Sequence, residues 1–154
     1  MKKIPDLDAL RTTVLELISQ TSRTLRIVTA DLEYSLYSQA DVLSALSAFA
    51  RRDRHTHIEV LVHDTQTAVK RDHGLIKLHQ RLSSYIAIRT THVDHQGLDE
   101  AWLIADRQLM LLRESDRHEG QSISASHVVS AKVDEFIRMW DKSLPDTRLR
   151  RLYI

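Results

Sequence analysis

The residues best suited to chemistry in this sequence are histidines and aspartates that follow short apolar segments. His63 and Asp64 come immediately after the segment IEVLV, and Asp31 comes shortly after TLRIVT. An imidazole near a carboxylate can exchange a proton close to neutral pH, or it can hold an anion. Because the same residues can also end a strand and cap the next turn, a functional and a structural interpretation both stay open.

A second group, His92, Asp94, His95 and Asp99, supplies ligand types that bind divalent metals in proteins without cysteine. This segment has the composition of a loop, so its spacing does not determine whether the side chains converge. Solvated loop residues are the simpler interpretation, and we predict neither a bound metal nor a cofactor.

The segments between these residues alternate between helical and strand-like patterns. The predicted elements are a helix capped by Asp6 or Asp8 and ending near Thr21, a strand over residues 24–29, a helix begun by the capping-box pattern Ser38–Asp41, a strand over residues 58–62, a helix bearing Leu75, Ile76, Leu78 and Leu82, and a strand over residues 86–91. This alternation favours a parallel sheet, and ligands of such sheets bind beyond the carboxyl ends of the strands.

The pattern changes after Gly97. Two strand-like segments, residues 101–105 and 108–112, are separated by Asp106 and Arg107, which is the length of a tight hairpin. A polar loop over residues 115–126 and an amphipathic helix bearing Val129 to Trp140 follow. We therefore predict an α/β fold over residues 1–154, a single domain in which a parallel core is extended by a late antiparallel hairpin and flanked by helices.

The composition limits the classes of function. With 22 Lys+Arg, 21 Asp+Glu and no cysteine, the chain has a formal net charge of +1 and can form neither disulfides nor thiolate metal sites. Any basic surface must be local, and the most concentrated one in the sequence is Arg148, Arg150 and Arg151, in a tail that could form an edge strand or a docked arm. No segment approaches the ~20 apolar residues of a membrane span, so we expect a cytoplasmic protein.

The order of elements, the hairpin pattern ending in Asp106 and the closing W-x-x-S resemble one lobe of the phospholipase D superfamily. In that family the hairpin carries H-x-K-x(4)-D, in which the His attacks phosphorus, the Lys binds phosphate oxygens and the Asp orients the His. Alignment on Asp106 places Asp99 at the His position and Ala101 at the Lys position. The Gly-Ser that follows in the family is replaced by Arg113-Glu114-Ser115. The resemblance thus implies the family's fold without its phosphohistidine chemistry, and we predict no catalytic residue.

The segments DLEYSLY, VLVHD, HGLIKLHQRLSSYIAIR and LLRES are similar to a small bacterial branch of this fold, which occurs alone or behind an acetyltransferase domain. Single-lobed relatives pair two copies across the active-site face, so the resemblance also implies a homodimer.

We predict that a ligand binds near Asp31, His63, Asp64, His73, Arg81, Arg113 and Glu114. Arg113 could hold a phosphate or carboxylate through two parallel hydrogen bonds, or Arg113 and Glu114 could form structural ion pairs with Asp31 or Arg81.

Three functions compete at this point. The first is a catalytically degenerate binding or interaction module for a phosphate-bearing ligand, nucleic acid or a protein partner. The second is a hydrolase of phosphodiesterase or nuclease type with a relocated site, using His63 or His92 and His95 with nearby aspartates and a possible metal. The third is an accessory domain of an acetyltransferase.

Overall fold

A mixed sheet of eight strands runs through residues 1–149, which are the residues that the computed structural model describes. The strands are β1 (Lys2–Ile4), β2 (Thr24–Thr29), β3 (His57–Val62), β4 (Ile86–Thr90), β5 (Glu100–Ala105), β6 (Leu109–Glu114), β7 (Gly120–Ile123) and β8 (Leu144–Pro145). Their order across the sheet is β1-β7-β6-β5-β2-β3-β4-β8. The strands β2, β3 and β4 are parallel, and the other pairings are antiparallel.

Helices cover both faces of this sheet. They are α1 (Leu7–Gln20), α2 (Tyr34–Tyr37), α3 (Ala40–Ala50), α4 (Gln66–Lys70), α5 (Gly74–Arg81) and α6 (Ser126–Lys142), with short 3₁₀ turns at Val93–His95 and Thr147–Leu149. Alternate strand residues point to opposite faces, so Leu25 and Ile27 pack with α1, α3 and α5, whereas Val28 packs against α6. The predicted α/β fold with a parallel core and a late antiparallel hairpin is confirmed.

The hairpin between β5 and β6 differs from the prediction in its loop. Ala105 pairs with Leu109, so the loop has three residues instead of two. Asp106 has a φ of 55°, a left-handed conformation that aspartate tolerates better than most residues. Its carboxylate accepts hydrogen bonds from the backbone N–H groups of Ser22, Arg23 and Thr24 at 2.8–3.0 Å. The turn is therefore fixed by its contact with the beginning of β2.

The predicted capping box is wrong. Helix α3 begins at Ala40, and Gln39 at its N-cap makes no side-chain capping bond. The Ser38 hydroxyl instead accepts a hydrogen bond from the Gly74 N–H at 3.0 Å, which joins the beginning of α5 to this turn. A contact across 36 residues thus replaces the local one that the pattern predicts.

The sequence patterns do not predict the strands β1 and β7, because both are short and polar. The strand β1 pairs with β7, and β7 lies in the segment predicted as a loop. A Cβ on Gly120 would lie 2.7 Å from the Leu112 carbonyl oxygen and 2.8 Å from the Arg113 Cβ, so this close approach of β7 to β6 requires glycine.

The end of the described chain adds another edge strand. Leu144 and Pro145 pair with Thr90 and Arg89 of β4. Arg150 and Arg151, part of the predicted basic patch, lie outside the described residues. Between residues 1 and 149, none of the helices has the length and apolar character needed to cross a membrane.

Candidate ligand-binding site

The two positions that lack the expected reactive groups lie at one end of the β5–β6 ladder. Asp99 is exposed just before β5, and Ala101 is buried within it. Ala101 pairs directly with Arg113 of β6, so the two side chains stand side by side on the face covered by α1. The cation at this place in the sheet is therefore an arginine on the neighbouring strand.

Arg113 is held by three groups. Its side chain is only 3% exposed, and its guanidinium forms an ion pair with the Glu33 carboxylate. A second nitrogen, Nη1, donates a hydrogen bond to the Arg117 carbonyl oxygen at 2.7 Å. The guanidinium also lies beside the buried Tyr37 hydroxyl. Burial raises the pKa of the Glu33 carboxyl, while Arg113 acts in the opposite direction.

The loop after β2 presents Glu33 to this arginine in an unusual backbone conformation. Leu32 and Glu33 have φ values of 69° and 33°, in the left-handed region that is unfavourable for both side chains. Leu32 is fully buried, and its N–H donates to the Thr29 hydroxyl at 3.2 Å. The Glu33 N–H donates to the Asp31 carboxylate at 3.0 Å. The buried leucine and the Glu33–Arg113 ion pair thus keep the loop in this strained shape.

His73, at the beginning of α5, forms a hydrogen bond with the same loop. It is 1% exposed, its Nε2 lies 2.9 Å from the Leu32 carbonyl oxygen, and its Nδ1 accepts the Leu75 N–H at 3.0 Å. Because Nδ1 accepts a hydrogen bond, the proton must be on Nε2, and the ring is neutral. Burial lowers the pKa of His73, in agreement with this neutral form. His73 therefore acts as the N-cap of α5 and as a brace for the loop.

A cavity of about 350 Å³ opens beside Arg113 at the carboxyl end of β2. The Arg71 guanidinium lies 3.9 Å from the Tyr34 ring centroid at its rim. The Ser115 hydroxyl is buried without a hydrogen-bond partner among the described residues. The other side chains facing this cavity are Asp31, Glu33, Ser35, Asp116 and His118. Cations and carboxylates are mixed here, and Glu33 already neutralises the most buried cation.

A larger cavity, of about 800 Å³, lies on the other side of Arg113 near β1 and β7. Glu114 faces it and forms an ion pair with Arg117, with 2.9 Å between Oε2 and Nε. Lys3, Glu100 and Glu119 also line this cavity. Its wall carries as many carboxylates as cationic side chains, and of these only Lys3 and Glu119 form no ion pair within the described chain, which does not favour a phosphate.

The remaining predicted residues do not face the cavity beside Arg113. The His63 Nδ1 lies 2.9 Å from the Thr91 hydroxyl, and burial lowers the pKa of this histidine. The Asp64 carboxylate accepts the Gln66 N–H at 2.9 Å and lies 3.7 Å from Arg148. Arg81 lines a separate cavity of about 380 Å³ beside α3. Of the seven predicted residues, Asp31 and Arg113 face the cavity beside Arg113, Arg113 and Glu114 face the larger one, and His73 lies just behind the first.

The histidine-rich loop before β5 has local roles. The His92 Nδ1 accepts the Asp94 N–H at 3.1 Å, which caps the 3₁₀ turn. In the described part of the chain, no three histidine, aspartate or glutamate side chains are placed to hold one metal ion. His92, Asp94, His95 and Asp99 thus do not form a shared site.

Sequence reasoning missed Glu33, Tyr37, Arg71 and His118 as neighbours of Arg113. Both Glu33 and Tyr37 lie in a polar segment between two predicted elements, yet Tyr37 is 2% exposed. The only local signal was the run of aromatic residues in DLEYSLY, which is unusual for a solvated loop.

A family model described as "Domain of unknown function (DUF7931)" matches residues 6–152. A search of the curated proteins finds no match. Among solved structures, Nuc from Salmonella typhimurium, a phospholipase D family member, is similar with a TM-score of 0.66 and 12% identity, over 94% of this chain and 95% of Nuc.

Two further structures share the architecture. NucT from Helicobacter pylori has a TM-score of 0.64 and 9% identity, over 91% of this chain and 92% of NucT. TrmBL2, an archaeal chromatin protein with a novel mode of DNA binding, has a TM-score of 0.66 and 16% identity. That match covers 94% of this chain, which spans about half of TrmBL2, 52% of its length. At these identities the likeness concerns the fold, and the predicted phospholipase D-like fold is confirmed.

Proposed function

The chain belongs to the family described as "Domain of unknown function (DUF7931)", and we propose that it is a non-catalytic domain of phospholipase D-like fold that acts by binding. The observation that carries this proposal is the pairing of Ala101 with Arg113, whose guanidinium is neutralised by Glu33.

Phosphodiester chemistry at this place would need a nucleophile and a free cation. Asp99 offers an exposed carboxylate, which repels the negatively charged oxygens of a phosphodiester, and Ala101 offers no polar group. Arg113 could bind phosphate only by giving up the Glu33 carboxylate, which would leave that carboxylate buried and unpaired. The arrangement therefore favours a stable, unreactive core at this position.

The geometry gives less support to a hydrolase with a relocated site. His63 has a hydroxyl neighbour and no carboxylate partner among the described residues, and Asp64 is used in capping the following turn. A general base needs hydrogen-bond access to its substrate and a group that orients it.

The class of ligand can be narrowed by charge. The phosphate-bearing small ligand expected from the sequence meets a mixed, largely neutralised wall in the cavity beside Arg113. Nucleic acid or a protein partner needs no deep pocket. TrmBL2, whose structure is similar to this chain, is a chromatin protein that binds DNA. This similarity supports nucleic acid as the first ligand to test.

A direct test combines turnover with binding on one preparation. Bis(4-nitrophenyl) phosphate and labelled single- and double-stranded oligonucleotides are incubated with the protein, with and without Zn²⁺ or Mn²⁺. We expect no turnover above buffer, together with measurable binding of at least one nucleic acid. Turnover that disappears in His63→Ala, but survives in the matched surface variant His127→Ala, would establish the hydrolase and overturn the proposal.

Two partner proposals follow from the resemblance. We propose a homodimer, because single-lobed relatives pair two copies. Light scattering that shows a monomer at high micromolar concentration would contradict the homodimer. We also keep an acetyltransferase as a proposed partner, and co-purification of the two from one host would support it.

A further inference from the structure

We propose that the end of the sheet opposite the cavity beside Arg113, where β2 and β3 begin, binds the phosphate backbone of nucleic acid. The surface, called the arginine edge below, consists of Arg23, Arg51, Arg52, Arg54 and Arg107. The inference rests on the proposed binding function and assigns to it a surface and a class of partner.

The topology brings these arginines together from three separate segments. Arg23 immediately precedes β2, and its carbonyl oxygen accepts the His57 N–H at 2.8 Å at the beginning of β3. Arg107 lies in the β5–β6 turn, where Asp106 binds the N–H of Arg23. Arg51, Arg52 and Arg54 follow α3 and lead into β3. Adjacent strands are about 4.8 Å apart, so the starts of these strands form one continuous row.

All five arginines of the edge are exposed, and most lack a carboxylate partner. Within the described chain, Arg23, Arg51, Arg52 and Arg54 form no ion pair, and Arg107 pairs with Asp134 at 3.1 Å. The two closest aspartates in sequence are already engaged. Asp53 accepts the His55 N–H at 2.9 Å, and both Asp106 oxygens accept backbone N–H groups. The five arginines outnumber the nearby carboxylates of Asp53, Asp106 and Asp134, so this surface keeps a net positive charge in a chain whose formal net charge is only +1.

A concave part of this surface can receive a phosphate. A cavity of about 410 Å³ is lined by Ser22, Arg23, Arg26, Arg107 and Gln108, together with Thr24 and Asp106. Arg26 is tied to Glu59 at 3.4 Å, so Arg23 is the cation in this cavity that has no carboxylate partner in the described chain. A planar guanidinium offers two parallel hydrogen bonds to a phosphate, which makes arginine well suited to this role.

The exposed histidines extend the same surface. His55 and His57 lie on both sides of the buried Thr56, whose hydroxyl donates to the Ala50 carbonyl oxygen at 3.0 Å. That bond holds the segment from α3 to β3 against the body of the domain. Positively charged side chains in a row of this kind bind phosphates without reading base sequence.

Nucleic acid fits the arginine edge better than a membrane does. Proteins that bind membrane surfaces insert apolar side chains, and the large exposed apolar residues of residues 1–149 lie outside this edge. These residues are Met1, Tyr34, Val69, Val93, Ile137 and Leu144.

The test measures binding of the full chain to a fluorescent 20-base-pair DNA duplex by anisotropy at several salt concentrations. We compare the wild type with the triple variant Arg23→Gln/Arg51→Gln/Arg54→Gln. Arg52 is left intact because its Nη1 donates to the Thr21 carbonyl oxygen at 2.8 Å and its guanidinium packs on Phe49. The matched control is Lys2→Gln/Lys70→Gln/Lys142→Gln, which removes the same charge from exposed lysines elsewhere.

We expect the arginine variant to bind at least about tenfold more weakly at low salt, with a log–log salt slope shallower by about 2.7, because each phosphate contact contributes about 0.9. The lysine variant keeps wild-type affinity within about twofold. Circular dichroism of both variants is compared with that of the wild type to check that they are folded.

Three outcomes would overturn the inference: no duplex binding by the wild type, equal loss in both variants, or binding to vesicles with anionic lipid but not to duplex. A failed test of DNA binding at the arginine edge would not by itself contradict the non-catalytic role, because that role is judged by turnover. Turnover of the oligonucleotides would contradict the non-catalytic role even if the arginine edge binds DNA.

Discussion

Arg113 lies directly opposite Ala101 in the β5–β6 ladder, so the strand pairing places a buried cation beside a residue with no polar side-chain group. Its charge is balanced by Glu33, which is 80 residues away in the sequence. A cation is thus present beside Ala101, but it serves to hold the loop after β2.

The Glu33–Arg113 pair can be tested by a double-mutant cycle. Arg113→Met removes the cation and leaves Glu33 buried without a partner, so the free energy of unfolding should fall by about 3 kcal/mol. Arg113→Met/Glu33→Gln should recover part of this loss because the unpaired carboxylate is gone. Urea denaturation at pH 7 of the wild type, Arg113→Met, Glu33→Gln and the double variant completes the cycle, and strictly additive effects would contradict a direct pair.

Introducing the His and Lys of the phospholipase D motif at positions 99 and 101 should not create phosphodiesterase activity. In Asp99→His/Ala101→Lys, the new lysine would be forced next to Arg113 in a buried position, so we expect a loss of about 2 kcal/mol or more in stability. Turnover of bis(4-nitrophenyl) phosphate should stay at the buffer rate, because Arg113 and Glu33 still fill the site. A stable variant with measurable turnover would show that the site is only two substitutions from catalysis.

His73 should make stability depend on pH. Its folded pKa lies below the ordinary value of about 6.5, so the folded state requires the neutral ring, and stability is lost as pH falls from about 6.5 through the folded pKa. His73→Ala should cost about 2 kcal/mol at pH 7.5, because the Leu75 N–H and the Leu32 carbonyl lose their partner. The difference from wild type should shrink at pH 5.

Denaturation curves between pH 5 and pH 8 measure this effect. His55→Ala is the control, because His55 is exposed and its replacement should leave the pH dependence unchanged. A constant difference between wild type and His73→Ala across this range would argue against the neutral capping role.

Asp106 should also lose its stabilising effect as pH falls, but in a more acidic range than His73. Partial burial acts to raise its pKa, but the three backbone N–H donors and Arg26 together lower it below the ordinary value. Its contribution is therefore present above an unfolded pKa of about 3.9 and is lost as pH falls through the lower folded pKa.

The matching substitution is Asp106→Asn, which keeps the left-handed turn but removes the charge. We expect a loss of about 1 kcal/mol at pH 7, since the group is largely solvated, and a smaller loss at pH 2.5. Thermal or urea unfolding at both pH values measures it, with Asp116→Asn as an exposed control. A loss that stays the same at pH 2.5 would assign the effect to turn geometry instead of charge.

The central elements of this fold could be predicted from the sequence because their signals are local. The strand over residues 24–29 was predicted with its observed bounds, and residues 58–62 and 86–91 within one residue at one end. Asp6 caps α1 as expected, through a 2.9 Å bond from the Ala9 N–H. Apolar periodicity and capping operate within a few residues, so the sequence displays them directly.

The alternation of helices and strands, the late hairpin, and the presence of Asp99 and Ala101 where the phospholipase D motif has His and Lys can all be read from the amino-acid order. The contact of Arg113 with Glu33, the bond from Gly74 to Ser38, and the position of the arginines before β2 and β3 at one end of the sheet depend on the folded chain. These contacts join residues that are far apart in sequence, and they depend on strand order and register, which no local pattern specifies. Burial then decides whether such a charge is paired inside the protein or left free for a ligand.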